Sequence, residues 1–294
     1  GGVGSCANAR EQSSEIALAI APAIAAILAA AALAGHGFES AIAVVLVGAA
    51  CLLGGFSRPA AVAATRFSLF LLVLVAAMAG ASMQPWRVAL LAALGLGWSA
   101  IASIACGAFA REKKSSDAEV ASTRYSLAQR FARWRRSLRG LAGWQYALRI
   151  SLCLAAAAML RSVWPAHHLH WVAIAVMLLT ERQVDASPVK IIQRGAGTFV
   201  GVIAAGLFAE CSPGAWSIAA AVALLAGLRP LLRVRNYLAY TAVTTPLILA
   251  LLDAGQPGPG ILVDRLTATL AGAALVVAAN ALFRASSREA GHSP

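Results

Sequence analysis

The feature that most constrains this chain is a succession of apolar stretches, about 12 to 23 residues long and mostly separated by short polar turns. They cover 16–34, 40–55, 67–81, 88–109, 144–160, 169–180, 189–209, 215–232, 236–252 and 261–283. A helix of about 20 residues crosses the hydrocarbon core of a bilayer, and a backbone in lipid must satisfy its own polar groups, so helices are what this pattern predicts. Of 294 residues, 60% are hydrophobic and 12% charged, with a mean hydropathy of +0.75, too little polarity to cover a soluble domain of this length. The expected fold is all-α: a polytopic bundle of about ten transmembrane helices, of which 40–55, 67–81 and 169–180 are the short ones.

A net charge of +12 raises nucleic acid as a partner, and the placement of the charge removes it. With the N-terminus inside, all 24 basic residues except Arg87, Arg161 and Arg265 fall on one side of the bundle. That is the positive-inside bias, and it predicts that both termini are cytoplasmic. The five cysteines, Cys6, Cys51, Cys106, Cys153 and Cys211, form no C-x-x-C pair and read as small apolar fillers. His167, His168 and His170 share an external loop without a fourth ligand nearby, so a wet interfacial loop is expected there rather than a metal. Nothing in the chain has the spacing of a nucleophile–base pair or a phosphate loop, so neither an enzyme nor a cofactor is expected. Residue 1 is glycine, residues 1–15 are small and polar, and no cleavable signal is recognisable.

Composition divides the chain into a transmembrane part at 1–110, a hydrophilic segment at 111–143, a six-helix part at 144–283 and a tail at 284–294. Within the hydrophilic segment, Leu127, Phe131, Trp134, Leu138 and Leu141 form an apolar stripe, with Arg130, Arg133, Arg135, Arg136 and Arg139 around the rest. Such a helix is expected to lie on the inner leaflet with its arginines among anionic headgroups. Docking on the protein's own cytoplasmic face is the other reading.

The six-helix part repeats one pattern. Arg194-x-x-x-Thr198-x-x-Gly201 opens the run at 189–209, with Gly197 beside it, and Arg265-x-x-x-Thr269-x-x-Gly272 opens the run at 261–283. Each pattern lies on a single helical face. An odd number of crossings separates the two runs, so they enter from opposite sides, and helices five to seven and eight to ten are expected to form an inverted 3+3 repeat. Arginine inside a membrane is retained where it meets a counter-charge, water or the interface. Arg194 lies near a helix start from which it can reach cytoplasmic water, and Arg265 has Asp264 beside it as a partner. Facing a common cavity, the two would instead attract a carboxylate, whose geometry a guanidinium matches.

Thr198 and Thr269 would add hydroxyls, and Trp171, Tyr237 and Tyr240 would offer faces to an aromatic substrate, although such residues also anchor helix ends at the interface. Tyr240, Thr241, Thr244 and Thr245 with Pro246 suggest a bent, pore-lining helix, with interhelical hydrogen bonding as the plainer account. Gly197, Gly201 and Gly272 are expected to let helices approach closely. Glu181 and Asp185 are the acids at the cytoplasmic mouth, either proton-coupling groups or solvated loop carboxylates.

Five blocks, in order and spacing, carry a resemblance. They are Ala147-Leu148-Arg149; His170-Trp171-Val172-Ala173 with Leu179-Thr180; Gln193-Arg194-Gly195-Ala196-Gly197-Thr198 with Gly201; Asn236-Tyr237 with Thr245-Pro246-Leu247; and Arg265-Leu266 with Thr269 and Gly272. Over 145–283 the chain resembles the FUSC family, the fusaric-acid-resistance and aromatic-acid-exporter-like membrane proteins. Over 16–110 the likeness is general and rests on Gly54-Gly55-Phe56-Ser57-Arg58. The resemblance implies a bacterial inner-membrane exporter of organic, often aromatic, acids, with a small organic anion as substrate. It adds Arg149 to the substrate-binding set and implies proton coupling and either a homo-oligomer or a periplasmic adaptor as partner. Plant malate channels are distant relatives of the family, so the alternative it implies is an anion channel.

Overall fold

The computed structural model describes residues 20–80, 86–87, 89–90, 93–94, 97, 126–164, 169–182, 187–211, 214–252 and 259–290. The elements among them are α-helices: α1 (Ile20–Leu33), α2 (Glu39–Leu53), α3 (Arg58–Gly80), α4 (Leu127–Ser137), α5 (Leu141–Val163), α6 (His170–Leu179), α7 (Ser187–Glu210), α8 (Ala215–Arg235), α9 (Tyr237–Leu252) and α10 (Pro259–Ala290). Most of the run at 88–109, together with His167, His168 and Asp185, lies outside the described residues. By packing, the chain forms two units, Gly1–Ser151 and Leu152–Pro294.

Four of the described helices contain a segment long and apolar enough to cross a bilayer: Arg58–Met78, Gly143–Val163, Ile191–Glu210 and Leu262–Arg284. Leu28, Phe38, Leu207 and Val263 turn outward, and Trp216 is 89% exposed, a surface that is stable against lipid and not against water. This is a multi-pass helical membrane protein.

Local rules explain where the helices depart from the apolar runs. The third run begins at 67, but α3 starts at Arg58, because Ser57 Oγ accepts the Ala60 N–H at 3.3 Å and Pro59 suits a first turn. Arg66 therefore sits about two turns inside α3, with its Nη1 buried and lacking a hydrogen-bond partner. α6 is only 10 residues, about 15 Å, half the thickness of a hydrocarbon core. It ends where Thr180 turns to extended backbone. α10 continues to Ala290, so the segment expected as a tail from 284 is helical through that residue.

In the N-terminal unit α2 packs on α3, and the turn between them, Gly54 to Ser57, receives α4. Ser126 and Gln129 form a capping box that starts α4. Trp134 Nε1 then donates to the Leu52 carbonyl at 3.2 Å, and its ring meets Phe56 edge-on at 6.3 Å. The amphipathic helix is thus docked on protein through the middle of its apolar stripe. An apolar stripe on a helix fits a protein surface or a bilayer equally well, and the Leu52 carbonyl, which takes the Trp134 bond beside the Gly55 N–H at 3.0 Å, decides between them. In the C-terminal unit α9 packs on α7 and on α8, and α10 packs on α6 and on α7.

Candidate functional site

The site grows from two close helix crossings. A Cβ on Gly197 would lie 2.6 Å from the Leu238 carbonyl oxygen and 2.8 Å from Thr241 Cβ, and one on Gly201 would lie 2.7 Å from the Ala242 oxygen and 2.8 Å from Thr245 Cβ. Only glycine permits this approach. The contacts advance along α9 as the glycines advance along α7, so these two helices run in the same direction. The Ala242 carbonyl is the one that Pro246 leaves without its helical N–H, and Gly201 covers it. α10 meets α6 similarly: a Cβ on Gly272 would lie 2.8 Å from Ala175 Cβ and 3.2 Å from the Val172 oxygen.

One turn before each crossing lies a threonine, and one turn before that an arginine. Arg194 is 6% exposed and its Nη1 donates to Tyr237 Oη, on the first residue of α9, at 3.4 Å. Arg265 is 3% exposed, and its guanidinium lies 3.8 Å above the ring of Trp171, at the start of α6. The arrangement is reciprocal: the third helix of each triplet packs on the middle helix of the other and sets its arginine on an aromatic at that helix's N-terminus. Stacking on the indole offers part of the cation's lost hydration back as a cation–π contact.

The helices that carry the two arginines, α7 and α10, pack on one another. The Nε of each is buried without a hydrogen-bond partner, and so is Thr198 Oγ1 on a side chain only 1% exposed. Neither arginine makes an ion pair with a carboxylate among the described residues. The snorkelling reading of Arg194 and the Asp264 pairing of Arg265 are therefore replaced by burial between helices. Two like charges out of water without a counter-ion are costly. An anion placed between them removes that cost and can be held by paired N–H donors.

The other expected residues are distributed unevenly. Thr269 Oγ1 donates to the Arg265 carbonyl at 2.9 Å. Thr241, Thr244 and Thr245 likewise donate to the carbonyls of Tyr237, Tyr240 and Thr241 at 2.9, 2.6 and 3.0 Å. The polar face expected to line a pore thus has its hydroxyls satisfied within α9, and Thr241 and Thr245 face the α7 glycines. Tyr240 stacks on Tyr237 with ring centroids 6.1 Å apart. Glu181 is half-buried beyond the end of α6. Arg149 is fully buried on α5 and falls in the N-terminal unit. Two features escaped sequence reasoning. The first is the contrast between Thr198 and Thr269. The second is the Arg–aromatic exchange, although an aromatic just after a polar turn, His170-Trp171 and Asn236-Tyr237, was its available signal.

Comparison with known proteins bears on the same region. A family model described as "Fusaric acid resistance protein-like" matches residues 142–279, which include both arginines, both crossings and all of α6 to α9. No curated protein and no solved structure matches the chain. Residues 142–279 are thus similar to the fusaric acid resistance protein-like family.

Proposed function

We propose that this protein is a transporter that exports carboxylate-bearing, mainly aromatic, organic acids from the cytoplasm across a bacterial inner membrane, with both termini cytoplasmic. The observation that carries the reading is the pair Arg194 and Arg265, buried and without a carboxylate among the described residues. Similarity of the matched region to that family supports an efflux-type membrane function. The substrate carboxylate sits between the guanidinium groups and takes a hydrogen bond from Thr198, while Trp171 and Tyr237 flank its apolar part. The N-termini of α6 and α9, beside the two arginines, add positive partial charge.

The reciprocal Arg–aromatic contacts support an inverted repeat of α5–α7 and α8–α10, and alternating access is then a rocking of one triplet against the other around the anion. Glu181 and Asp185 are the proton-coupling residues of this reading. An anion channel of the same fold is the second reading. It is favoured by the lack of any titratable carboxylate on either arginine among the described residues, and an inside-negative potential alone drives anion exit by about 2.3 kcal/mol per charge per 100 mV.

Purified protein in liposomes separates the two. Flux of an aromatic carboxylate that follows a pH gradient at clamped voltage supports the exporter, and voltage-driven current that ignores the pH gradient supports the channel. No carboxylate flux under either drive rejects both.

A further inference from the structure

The second concentration of arginine lies in the N-terminal unit, where the turn between α2 and α3 and the docked α4 form an open-sided cavity of about 550 Å³. Its walls are the turn from Gly55 through Pro59 and one face of α4, Arg130, Arg133, Trp134 and Ser137. Arg130 and Arg133 are neighbours on that face by helical spacing, and Arg58 approaches from the first residue of α3. Three arginines therefore line the cavity, and none of its described walls carries a carboxylate. Ser57 and Ser137 supply hydroxyls, and Trp134, anchored to the Leu52 carbonyl, forms a rigid wall.

The geometry points to a binding site for a phosphate ester, namely the headgroup of an anionic phospholipid. Phosphate is the anion whose several oxygens can engage several forked donors at once, and Arg58 on α3 and Arg130 on α4 face the cavity from its two sides. The cavity also sits at the first residues of the apolar span Arg58–Met78, the level at which headgroups lie. Leu53 and Val62, exposed on the two helices that meet at this turn, give acyl chains a surface to follow. A bound headgroup would act as a clamp between α4 and the turn, which a soluble phosphate ester of similar size would reproduce without the chains. This site shares no residue with the arginine pair of α7 and α10.

Native mass spectrometry of the purified chain tests it, with phosphatidylglycerol, phosphatidylcholine and soluble glycerol phosphate as probes. Wild-type protein is expected to retain phosphatidylglycerol in preference to phosphatidylcholine, and the R58Q/R130Q double variant to bind it about tenfold more weakly. Ser137→Leu, which fills the cavity and leaves its charge intact, should weaken retention too and guards against a double variant that fails to fold. Glycerol phosphate binding that these variants abolish, without selective lipid retention, supports the phosphate site with a soluble source. Equal lipid retention in wild type and both variants, with no response to glycerol phosphate, overturns the proposal.

Discussion

Arginine is used in two opposite ways in the two units. Around the α2–α3 turn, Arg58 and Arg133 are exposed at a cavity, where water and salt screen their mutual repulsion. In the C-terminal unit, Arg194 and Arg265 are held between helices that leave them almost no solvent contact. The difference teaches that the number of cations says little about a site and their desolvation says much. An exposed guanidinium is cheap to keep and cheap to lose, while a buried one strains the fold unless something of opposite charge visits it.

The largest effect that would sharpen this contrast is on transport. Arg265→Ala and Arg194→Ala are each expected to lower carboxylate flux in liposomes by about 10- to 100-fold, the range for losing a hydrogen bond to a charged group. Both should still insert and melt cooperatively, since removing a buried unpaired charge does not open the helix crossings. Unchanged flux in both variants would break the comparison outright. Next comes packing: Gly201→Leu places a side chain where a Cβ alone meets the Ala242 oxygen at 2.7 Å, and should destabilise the unit by about 1–3 kcal/mol or more, seen as a lower melting temperature in detergent. Gly195→Ala, at a glycine with nothing within 4 Å, should leave that temperature unmoved.

A smaller loss is expected from Trp171→Leu, which keeps the site apolar and removes the ring under Arg265. The cation–π contact is worth about 0.5–2 kcal/mol, so apparent substrate affinity should fall about 2- to 30-fold with the maximal rate less affected. Smallest of all, Arg135→Gln and Arg136→Gln, exposed and outside the cavity walls, should change stability by no more than about 0.5 kcal/mol and leave flux intact. A large effect there would mean that exposed cations of α4 matter as much as buried ones, and the contrast would fail.

The arginine, threonine and glycine of each repeat were legible in the sequence because a helix of period 3.6 must place them on one face. Which helix that face meets was not, since the glycines say only that something approaches closely. The aromatic partners at the starts of α6 and α9 required the crossing to be known first. The threonines of α9 show a second limit: a hydroxyl can serve its own backbone or a neighbour, and residue type does not distinguish them. Arg66 shows a third, because the start of α3 is set by Ser57 and Pro59 rather than by the apolar run used to find it. The docking of α4 depends on the Leu52 carbonyl, which no pattern in α4 itself reveals.

The α7–α9 contact repeats itself along its length. Gly197 and Gly201 are one turn apart, and so are Thr241 and Thr245 opposite them, so sliding α7 by about 5.4 Å would keep one glycine against a threonine and set Gln193 or Ala205 where the other had been. Such a seam resists separation, and both crossings find a glycine only in this register. Arg194 marks the same register through its contact with the Tyr237 hydroxyl, which is long, at 3.4 Å. A ligand that draws Arg194 toward itself therefore loosens the polar end of this seam and leaves its glycine crossings in place.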